Sequence, residues 1–338
     1  MKILVTGGTG YIGSHTAVEL QQAGFEVVIV DNLSNSSIEV LDGIVRITGI
    51  WPHFAQIDCL NYDDLHRVFI EHPEIGAVIH FAASKAVGES VQQPLLYYRN
   101  NLQSLINLLD IMIERKVSNL VFSSSCTVYG QPDKLPVTEQ APTQPAASPY
   151  GNTKQICEEI INDTAHSGVP IKSILLRYFN PIGAHHSAEI GELPLGVPQN
   201  LVPFITQTAI GRHEKLRVFG NDYSTPDGSC IRDYISVVDL AKAHLAACNR
   251  LLNNLSAEKV EVFNIGTGKG LSVLELIHLF QQVADIVLPY EIVGRREGDI
   301  EQIWAEPCKA NTVLGWTAKE SIEDTLLSAW KWEQKICN

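Results

Sequence analysis

Tyr150 and Lys154 are the side chains whose types and spacing in this sequence best suit chemistry. If a helix begins near Pro149, a spacing of four places the phenol and the ammonium on one face, one turn apart. A free tyrosine has a pKa of about 10, whereas a general base works best near the operating pH. An adjacent cation such as Lys154 favours the phenolate. The pair is therefore a candidate general base.

The same spacing also occurs in pairs that merely lie side by side on a helix surface. Two features of the surrounding sequence favour the catalytic interpretation. Three hydroxyl residues, Ser123, Ser124 and Ser125, end the apolar run before the pair, and the N-terminus carries a dinucleotide-binding pattern.

That pattern is a glycine-rich turn between a predicted strand, Lys2–Thr6, and a helical pattern over Ser14–Ala23. The spacing of Gly7, Gly10 and Gly13 allows a tight turn, close approach of the backbone to a pyrophosphate, and close packing of helix on strand. The start of the helix offers free N–H groups and a favourable dipole to phosphates. The turn therefore predicts a dinucleotide site.

Asp31 follows the second predicted strand, Phe25–Val30. Its carboxylate can accept hydrogen bonds from both adenosine ribose hydroxyls and would repel a 2′-phosphate, so the sequence favours NAD over NADP. Asp58 and Cys59 follow the next strand-like run, His53–Ile57, where they would bracket the adenine.

Apolar strands alternate with helices through the first 180 residues, which predicts an α/β fold with a Rossmann-type doubly wound parallel sheet. Ligands bind such sheets at the carboxyl ends of the strands. The candidate residues fall at those ends: the turn glycines, Asp31, Asp58, Phe81, Ser123–Ser125 and Tyr178–Asn180.

Beyond Pro181 the predicted elements shorten, which indicates a smaller C-terminal α/β substrate domain. We expect residues 1–180 to form the NAD domain with a return segment at 232–267, and residues 181–231 and 268–338 to bind the substrate. The cluster Gly266–Gly270 lacks the Gly-Lys-Ser/Thr of a Walker loop, so we interpret it as a structural turn. Arg295 and Arg296 follow a predicted strand and could clamp a diphosphate.

The composition excludes several classes of function. A net charge of −13 argues against nucleic acid, which requires clustered Lys and Arg. Seven scattered cysteines without a Cys-x-x-Cys motif predict free thiols, and no histidine spacing predicts a metal site. We find no signal peptide and no apolar run of the ~18–20 residues that span a membrane, and therefore expect a cytoplasmic protein.

Over essentially its whole length, the chain resembles the UDP-glucose 4-epimerases of the extended short-chain dehydrogenase/reductase family. The specific segments are RYFNPIGAH, GNDYSTPDGSCIRDYI and RREGD, alongside SSSCTVYG and SPYGNTK. The resemblance implies that Tyr150 is the base at the sugar 4-hydroxyl, that Ser125 binds the same hydroxyl, and that Lys154 holds the nicotinamide ribose and lowers the Tyr150 pKa. It implies interconversion of UDP-glucose and UDP-galactose with bound NAD, through a transient 4-keto sugar.

The resemblance further implies two sets of contacts and a homodimer formed through the helices Leu95–Arg115 and Tyr150–His166. The cofactor set is Gly7, Gly10, Tyr11, Ile12, Gly13, Asp31, Asn32, Asn35, Asp58, Cys59, Phe81, Ala82, Ala83, Lys85, Asn100, Ser123, Tyr150, Lys154 and Tyr178. The substrate set is Lys85, Ser125, Tyr150, Asn180, Asn200, Leu201, Leu216, Phe219, Arg232, Arg296, Asp299 and Ile303.

Ile303 is the most consequential departure from the family pattern. Members restricted to glucose and galactose often carry Tyr there, and members that accept N-acetylhexosamines carry a smaller residue. We expect Ile303 to permit some turnover of UDP-GlcNAc and UDP-GalNAc.

Three other functions compete with this interpretation. A nucleotide-sugar 4,6-dehydratase needs an Asp-Glu pair where this chain has Cys126 and Thr127, neither of which protonates a leaving hydroxyl at neutral pH. A UDP-glucuronate epimerase is left open, although RREGD does not favour it. A non-catalytic NAD-sensing regulator would generally lack the Tyr150–Lys154 pair.

Overall fold

The computed structural model describes residues 1–296 and 299–337. Glu297 and Gly298, the middle of the RREGD segment, lie outside the described residues, as does Asn338.

The strands and helices alternate along the first half of the chain and become shorter beyond it. The strands are β1 (Lys2–Thr6), β2 (Glu26–Asp31), β3 (His53–Gln56), β4 (Ile75–His80), β5 (Asn119–Ser123), β6 (Lys172–Tyr178), β7 (Asn180–Ile182), β8 (Leu216–Phe219), β9 (Ile231–Arg232), β10 (Tyr234–Ser236), β11 (Val260–Ile265), β12 (Leu271–Ser272), β13 (Tyr290–Val293) and β14 (Gln302–Ile303). The α-helices are α1 (Tyr11–Gln22), α2 (Val40–Thr48), α3 (Tyr62–Glu71), α4 (Val87–Gln92), α5 (Pro94–Arg115), α6 (Pro149–His166), α7 (Leu201–Ala209), α8 (Val237–Leu252), α9 (Val273–Ala284) and α10 (Ile322–Cys337).

The described residues form one large parallel sheet of seven strands, in the order β11-β6-β5-β4-β1-β2-β3. The order reverses at β1, so the crevice above the carboxyl ends of β1 and β4 is the ligand-binding position of a doubly wound sheet. This confirms the predicted Rossmann-type fold.

Both faces of the sheet are buried because its strands are apolar on both sides. Ile3 and Val5 pack into the core beneath α1 and α8, whereas Leu4 points into the core beneath α3, α5 and α6. The segment after β10 returns to this sheet, since β11 pairs in parallel with β6.

The remaining elements form smaller sheets around a third core. In the described chain these pairings are β7 with β10, β8 with β13, and β9 with both β12 and β14. Ile205 of α7, Leu276 and Phe280 of α9, and Leu326 of α10 are buried in this core. Strand β14 pairs with β9, and its Ile303 packs against Cys126 and Phe179, which follow β5 and β6.

Two differences from the sequence prediction concern helices. Helix α1 begins at Tyr11 rather than Ser14, because the glycine turn ends at Gly10 and Gly13 already lies within the helix. Helices α2, α4 and α10 were not predicted. No helix in the described ranges is long and apolar enough to cross a membrane.

Candidate active site

The glycine turn brings the start of α1 close to the end of β4. Gly7 adopts a φ of +69°, and a Cβ there would lie 2.9 Å from the Ala82 nitrogen. A Cβ on Gly13 would lie 2.3 Å from the Gly7 carbonyl oxygen. No side chain among the described residues caps α1 at Gly10, so its first N–H groups are open to an anion. This turn fits a pyrophosphate.

The Asp31 carboxylate is fixed at the end of β2 by a network that sequence reasoning missed. Its oxygens accept hydrogen bonds from the Thr9 nitrogen at 3.1 Å, the Leu33 nitrogen at 2.9 Å and the Ser36 hydroxyl at 3.1 Å. A carboxylate has about four acceptor sites, so capacity for a ribose hydroxyl remains. Asn32 donates to Asp58 at 3.0 Å and links two strand ends.

Tyr150 lies in the first turn of α6, where Ser148 caps the helix by accepting from the Gly151 nitrogen at 3.2 Å. The tyrosine is 8% exposed and Lys154 is 4% exposed. The Lys154 ammonium donates to the Ser123 carbonyl at 2.8 Å, and the Ser123 hydroxyl lies 2.7 Å from the Tyr178 hydroxyl. The structure thus brings together the predicted pair and the end of β5.

The expectation that Lys154 lowers the Tyr150 pKa is not met by the protein groups. Burial raises the pKa of Tyr150, the nearby Tyr178 raises it further, and a hydrogen bond with Ser125 lowers it. The Lys154 ammonium lies 5.9 Å from the centre of the Tyr150 ring and is directed to Ser123 instead. Lys154 alone does not overcome the effect of burial on the Tyr150 pKa, so the phenolate would also require the positive charge of an oxidised nicotinamide.

Burial also acts on Lys154, whose pKa it lowers to about 8. The Lys154 charge in turn adds to burial in lowering the pKa of His80 to about 3, so this histidine is neutral. Its Nδ1 lies 2.7 Å from the Thr6 hydroxyl. His80 therefore adds no second positive charge beside the Lys154 ammonium.

Lys85 and Asn200 meet at a carboxylate that the sequence analysis did not single out. The Glu192 Oε1 lies 3.5 Å from the Lys85 ammonium and accepts from the Asn200 amide at 2.6 Å. The Glu192 backbone carbonyl accepts from the Trp332 ring nitrogen at 2.9 Å. No local pattern could reveal Glu192, because two of these three partners, Lys85 and Trp332, come from distant parts of the chain.

Of the two arginines predicted to clamp a diphosphate, Arg296 lies against Asp299, whereas Arg295 donates to Asp222 Oδ1 at 2.8 Å. Arg232 of the substrate set joins Arg296 at Asp299. The Asp299 Oδ1 accepts from Arg296 at 2.7 Å and lies 4.0 Å from the Arg232 guanidinium. The Arg296 guanidinium lies 5.5 Å from the centre of the Phe219 ring. Leu216 and Phe219 lie on opposite faces of β8, and the Leu216 side chain is buried in the third core, so it is not available as a side-chain contact.

Ile303 is 2% exposed and packs in a small apolar cluster with Cys126 and Phe179. The Asn180 nitrogen donates to the Asp233 carbonyl at 3.0 Å, which fixes the chain beyond β6.

The Asp233 carboxylate accepts from the nitrogens of Thr267 at 2.9 Å and Gly268 at 3.1 Å. The glycine cluster at 266–270 is thus a structural turn, since its amides are already bound.

The other predicted contacts lie around this edge of the sheet. Tyr11 donates its hydroxyl to the Gly183 carbonyl at 2.6 Å, and Asn100 donates to the Ser84 hydroxyl at 3.0 Å. Burial raises the pKa of the Cys59 thiol to about 12, and Asn35 is exposed. Ile12, Phe81, Ala82, Ala83 and Leu201 are partly buried. No group of three potential metal ligands occurs among the described residues.

Comparisons with known proteins agree with this geometry. The family model described as "GDP-mannose 4,6 dehydratase" matches residues 4–328. The UDP-glucose 4-epimerase of Bacillus subtilis is 49% identical, over 100% of this chain and 98% of that protein. The UDP-glucose 4-epimerase of Dictyostelium discoideum is 49% identical, over 98% and 95%. The structure of UDP-glucose 4-epimerase from Bifidobacterium longum in complex with NAD+ and UDP matches with a TM-score of 0.96 at 44% identity, over 100% of this chain and 99% of that one. The resemblance found in the sequence is thereby confirmed, and the chain belongs to the UDP-glucose 4-epimerase family.

Proposed function

We propose that this protein is an NAD-dependent UDP-hexose 4-epimerase that interconverts UDP-glucose and UDP-galactose. The observation that carries this function is the buried Tyr150 beside Lys154 and Ser125, at the sheet edge that also holds the glycine turn and Asp31. The full-length relatives with this activity in their names support it.

Each chain residue has a defined task in this proposal. When bound, NAD supplies the oxidation of C4 and its reversal. Tyr150 takes the proton from the 4-hydroxyl and later returns it to the carbonyl oxygen, while Ser125 holds that oxygen. Lys154 is anchored on Ser123 and places an ammonium against the nicotinamide ribose. The buried surroundings of Tyr150 exclude water from the reacting carbon.

The UDP part requires a firm anchor, because the sugar must present both faces of C4 to one base. We assign this anchor to Arg232 and Arg296, with Phe219 against the uracil. Both arginines already lie against Asp299, so a diphosphate would share or replace that carboxylate as their anionic partner. The remaining substrate and cofactor residues of the sequence prediction are proposed in the same roles, Leu216 through its backbone.

The site does not support the dehydratase chemistry named in the matching family model. A dehydratase acid would stand at Cys126 or Thr127. Burial raises the pKa of Cys126 to about 12, so it cannot donate a proton reversibly near neutral pH, and threonine has no suitable proton. The epimerase is therefore favoured.

Incubating the purified protein with UDP-galactose and quantifying UDP-glucose tests this function. We expect conversion in both directions to the same equilibrium ratio. A panel with UDP-glucuronate and with a dehydratase substrate separates the alternatives, and turnover of none of these sugars would indicate the silent NAD-binding regulator instead.

Asp31→Asn should weaken NAD binding about 10- to 100-fold, because a hydrogen bond to a charged group contributes about 1.5–3 kcal/mol. NADP binding should not weaken, since the carboxylate that repels a 2′-phosphate is removed. Fluorescence titration with both dinucleotides measures the two dissociation constants. Asp42→Asn, at an exposed position of α2, is the matched control. Parent-like NAD affinity in Asp31→Asn would contradict the assignment.

Ile303 should permit measurable conversion of UDP-GalNAc to UDP-GlcNAc. Ile303→Tyr should lower this activity at least about tenfold relative to that with UDP-galactose, because the ring enlarges the side chain in a closed apolar cluster. Ile303→Leu conserves volume and should behave like the parent. Assays with equal concentrations of the two substrates measure the ratio, and a parent without N-acetylhexosamine turnover would refute this prediction.

Three further proposals concern organisation. Residues 1–180 with 232–267 form the NAD domain, and 181–231 with 268–338 the substrate domain. A homodimer through α5 and α6 is supported by exposed Leu95, Leu96 and Ile106 on α5.

A cytoplasmic location is supported by the seven cysteines, which all lie within the described ranges and are all free, because free thiols are typical of a reducing compartment.

A further inference from the structure

A buried ion pair lies directly behind the candidate catalytic residues. Glu158 of α6 and Arg177 of β6 form a bidentate pair, with the Arg177 Nε 3.0 Å from Glu158 Oε1. The Ser124 hydroxyl also donates to Glu158 Oε1. Glu158 is 8% exposed, Arg177 7% and Ser124 0%. All three polar side chains are therefore satisfied by one another away from water.

The pair is held on its far side as well. Tyr129 belongs to the short 3-10 helix that follows Ser125. The Arg177 guanidinium lies 4.9 Å from the centre of the Tyr129 ring. The Tyr129 hydroxyl donates to the Asn264 side chain at 2.6 Å, and the Asn264 amide donates to the Val137 carbonyl at 2.9 Å. The network thus joins β5, β6, β11 and α6.

Two members of the network, Ser124 and Glu158, lie close in the chain to candidate catalytic residues. Ser124 lies between Ser123, whose carbonyl holds the Lys154 ammonium, and Ser125. Glu158 is one helical turn beyond Lys154 on the same face of α6. A buried ion pair contributes little net stability by itself. We therefore consider what the position and the charge of Glu158 do to Lys154.

The titratable groups that face Lys154 and Glu158 come from α6, β4 and β6: Tyr150, Cys157, His80, Arg177 and Tyr178. Burial raises the pKa of Cys157 to about 11 and that of Tyr178 to about 12, and it lowers that of His80 to about 3. Cys157, Tyr178 and His80 are therefore neutral near pH 7 and Arg177 is a cation, so Glu158 is the anion among the described groups here. Cys157 and Glu158 both oppose the burial that lowers the pKa of Lys154.

We propose that Glu158, fixed by Ser124 and Arg177, is a positioning residue that keeps the Lys154 ammonium protonated and in register with Tyr150. The kinetic test of this proposal rests on the proposed function. Its claim about the charge of Lys154 can be measured without turnover. In the folded protein a lysine of lowered pKa loses its charge as pH rises, so removing Glu158 moves that loss to lower pH.

The test compares pH profiles of kcat for UDP-galactose in the parent, Glu158→Gln and Glu158→Asp. We expect the alkaline limb of Glu158→Gln to move down by about one pH unit, with KM changed less than about twofold because the UDP anchor is remote. Glu158→Asp keeps the charge and should restore the limb at least in part. Glu159→Gln, the adjacent exposed residue of α6, is the matched control and should keep the parent profile. A folded Glu158→Gln with the parent profile overturns the proposal.

A second variant and a second measurement keep the result decisive. If Glu158→Gln fails to fold, Glu158→Gln/Arg177→Met removes both charges. We expect a smaller shift of the same sign, because Glu158 is one of the two groups that raise the Lys154 pKa and the other, Cys157, is unchanged. An unshifted limb in that variant overturns the proposal. If the parent protein shows no epimerisation, the proposed function is refuted, and the role of Glu158 is tested independently of it. NMR titration of 13C-labelled lysine, with the Lys154 signal assigned from Lys154→Met, then decides: a lower pKa in the variant supports the role of Glu158, and an equal pKa refutes it.

Discussion

Replacing Tyr150 with phenylalanine is expected to lower kcat for UDP-galactose by about 10²–10⁴-fold, the usual contribution of a general base. The variant loses only the hydroxyl that exchanges a proton with the sugar. Affinity for NAD and UDP should change little, because the substrate anchor proposed at Arg232 and Arg296 lies elsewhere. Steady-state kinetics with UDP-galactose and titration with UDP measure the two quantities separately.

The control for this variant is Tyr62→Phe, which removes a phenol from the surface helix α3, where the hydroxyl donates to Glu114 at 3.2 Å. It should retain parental kcat. A Tyr150→Phe protein with parental kcat would exclude Tyr150 as the base. Loss of NAD binding alongside activity would instead indicate a structural role for the phenol.

Gly13→Ala is expected to remove NAD binding almost completely. A Cβ would lie 2.3 Å from the Gly7 carbonyl oxygen and 2.8 Å from the Gly8 Cα, both backbone atoms that cannot yield without opening the turn. The free N–H groups at the start of α1 would then no longer face the pyrophosphate. NAD content after purification and fluorescence titration measure the effect, and we expect the dissociation constant to rise by more than about 100-fold, the loss of several charge-assisted hydrogen bonds.

Gly294→Ala is the matched substitution, because no described atom lies within 4 Å of a Cβ there. It should bind NAD as the parent does. Far-UV circular dichroism distinguishes a local change in Gly13→Ala from global unfolding. Parental NAD affinity in a folded Gly13→Ala protein would show that the dinucleotide does not bind at this turn.

Much of the fold follows from local patterns. The bounds of β1 agree with the predicted range, and those of β3, α5 and α6 differ from it by one residue at one end, because each is a run of clear periodicity or apolar character beside turn residues. Convergence at the strand ends was also predictable, since parallel strands bring their carboxyl ends to one edge. The start of α1 was not, because glycines that favour a turn also fit the first turn of a helix.

The parts of the site that escaped prediction depend on contacts between distant segments. Glu192 meets Lys85 across 107 positions, and Arg177 meets Glu158 on a different element. The effect of the protein groups on the Tyr150 pKa was not visible in the sequence either. Burial and the nearby Tyr178 raise this pKa, whereas the sequence displayed only the nearby lysine.

The most direct test of the account follows deuterium placed at C4 of UDP-galactose. Because the hydrogen at C4 is removed and returned inside a closed site, we expect the UDP-glucose product to retain the deuterium at C4 without added NAD. Product formed in D2O from unlabelled substrate should contain no deuterium at that carbon. Exchange of the C4 hydrogen with water during turnover would contradict the proposed oxidation and reduction at C4.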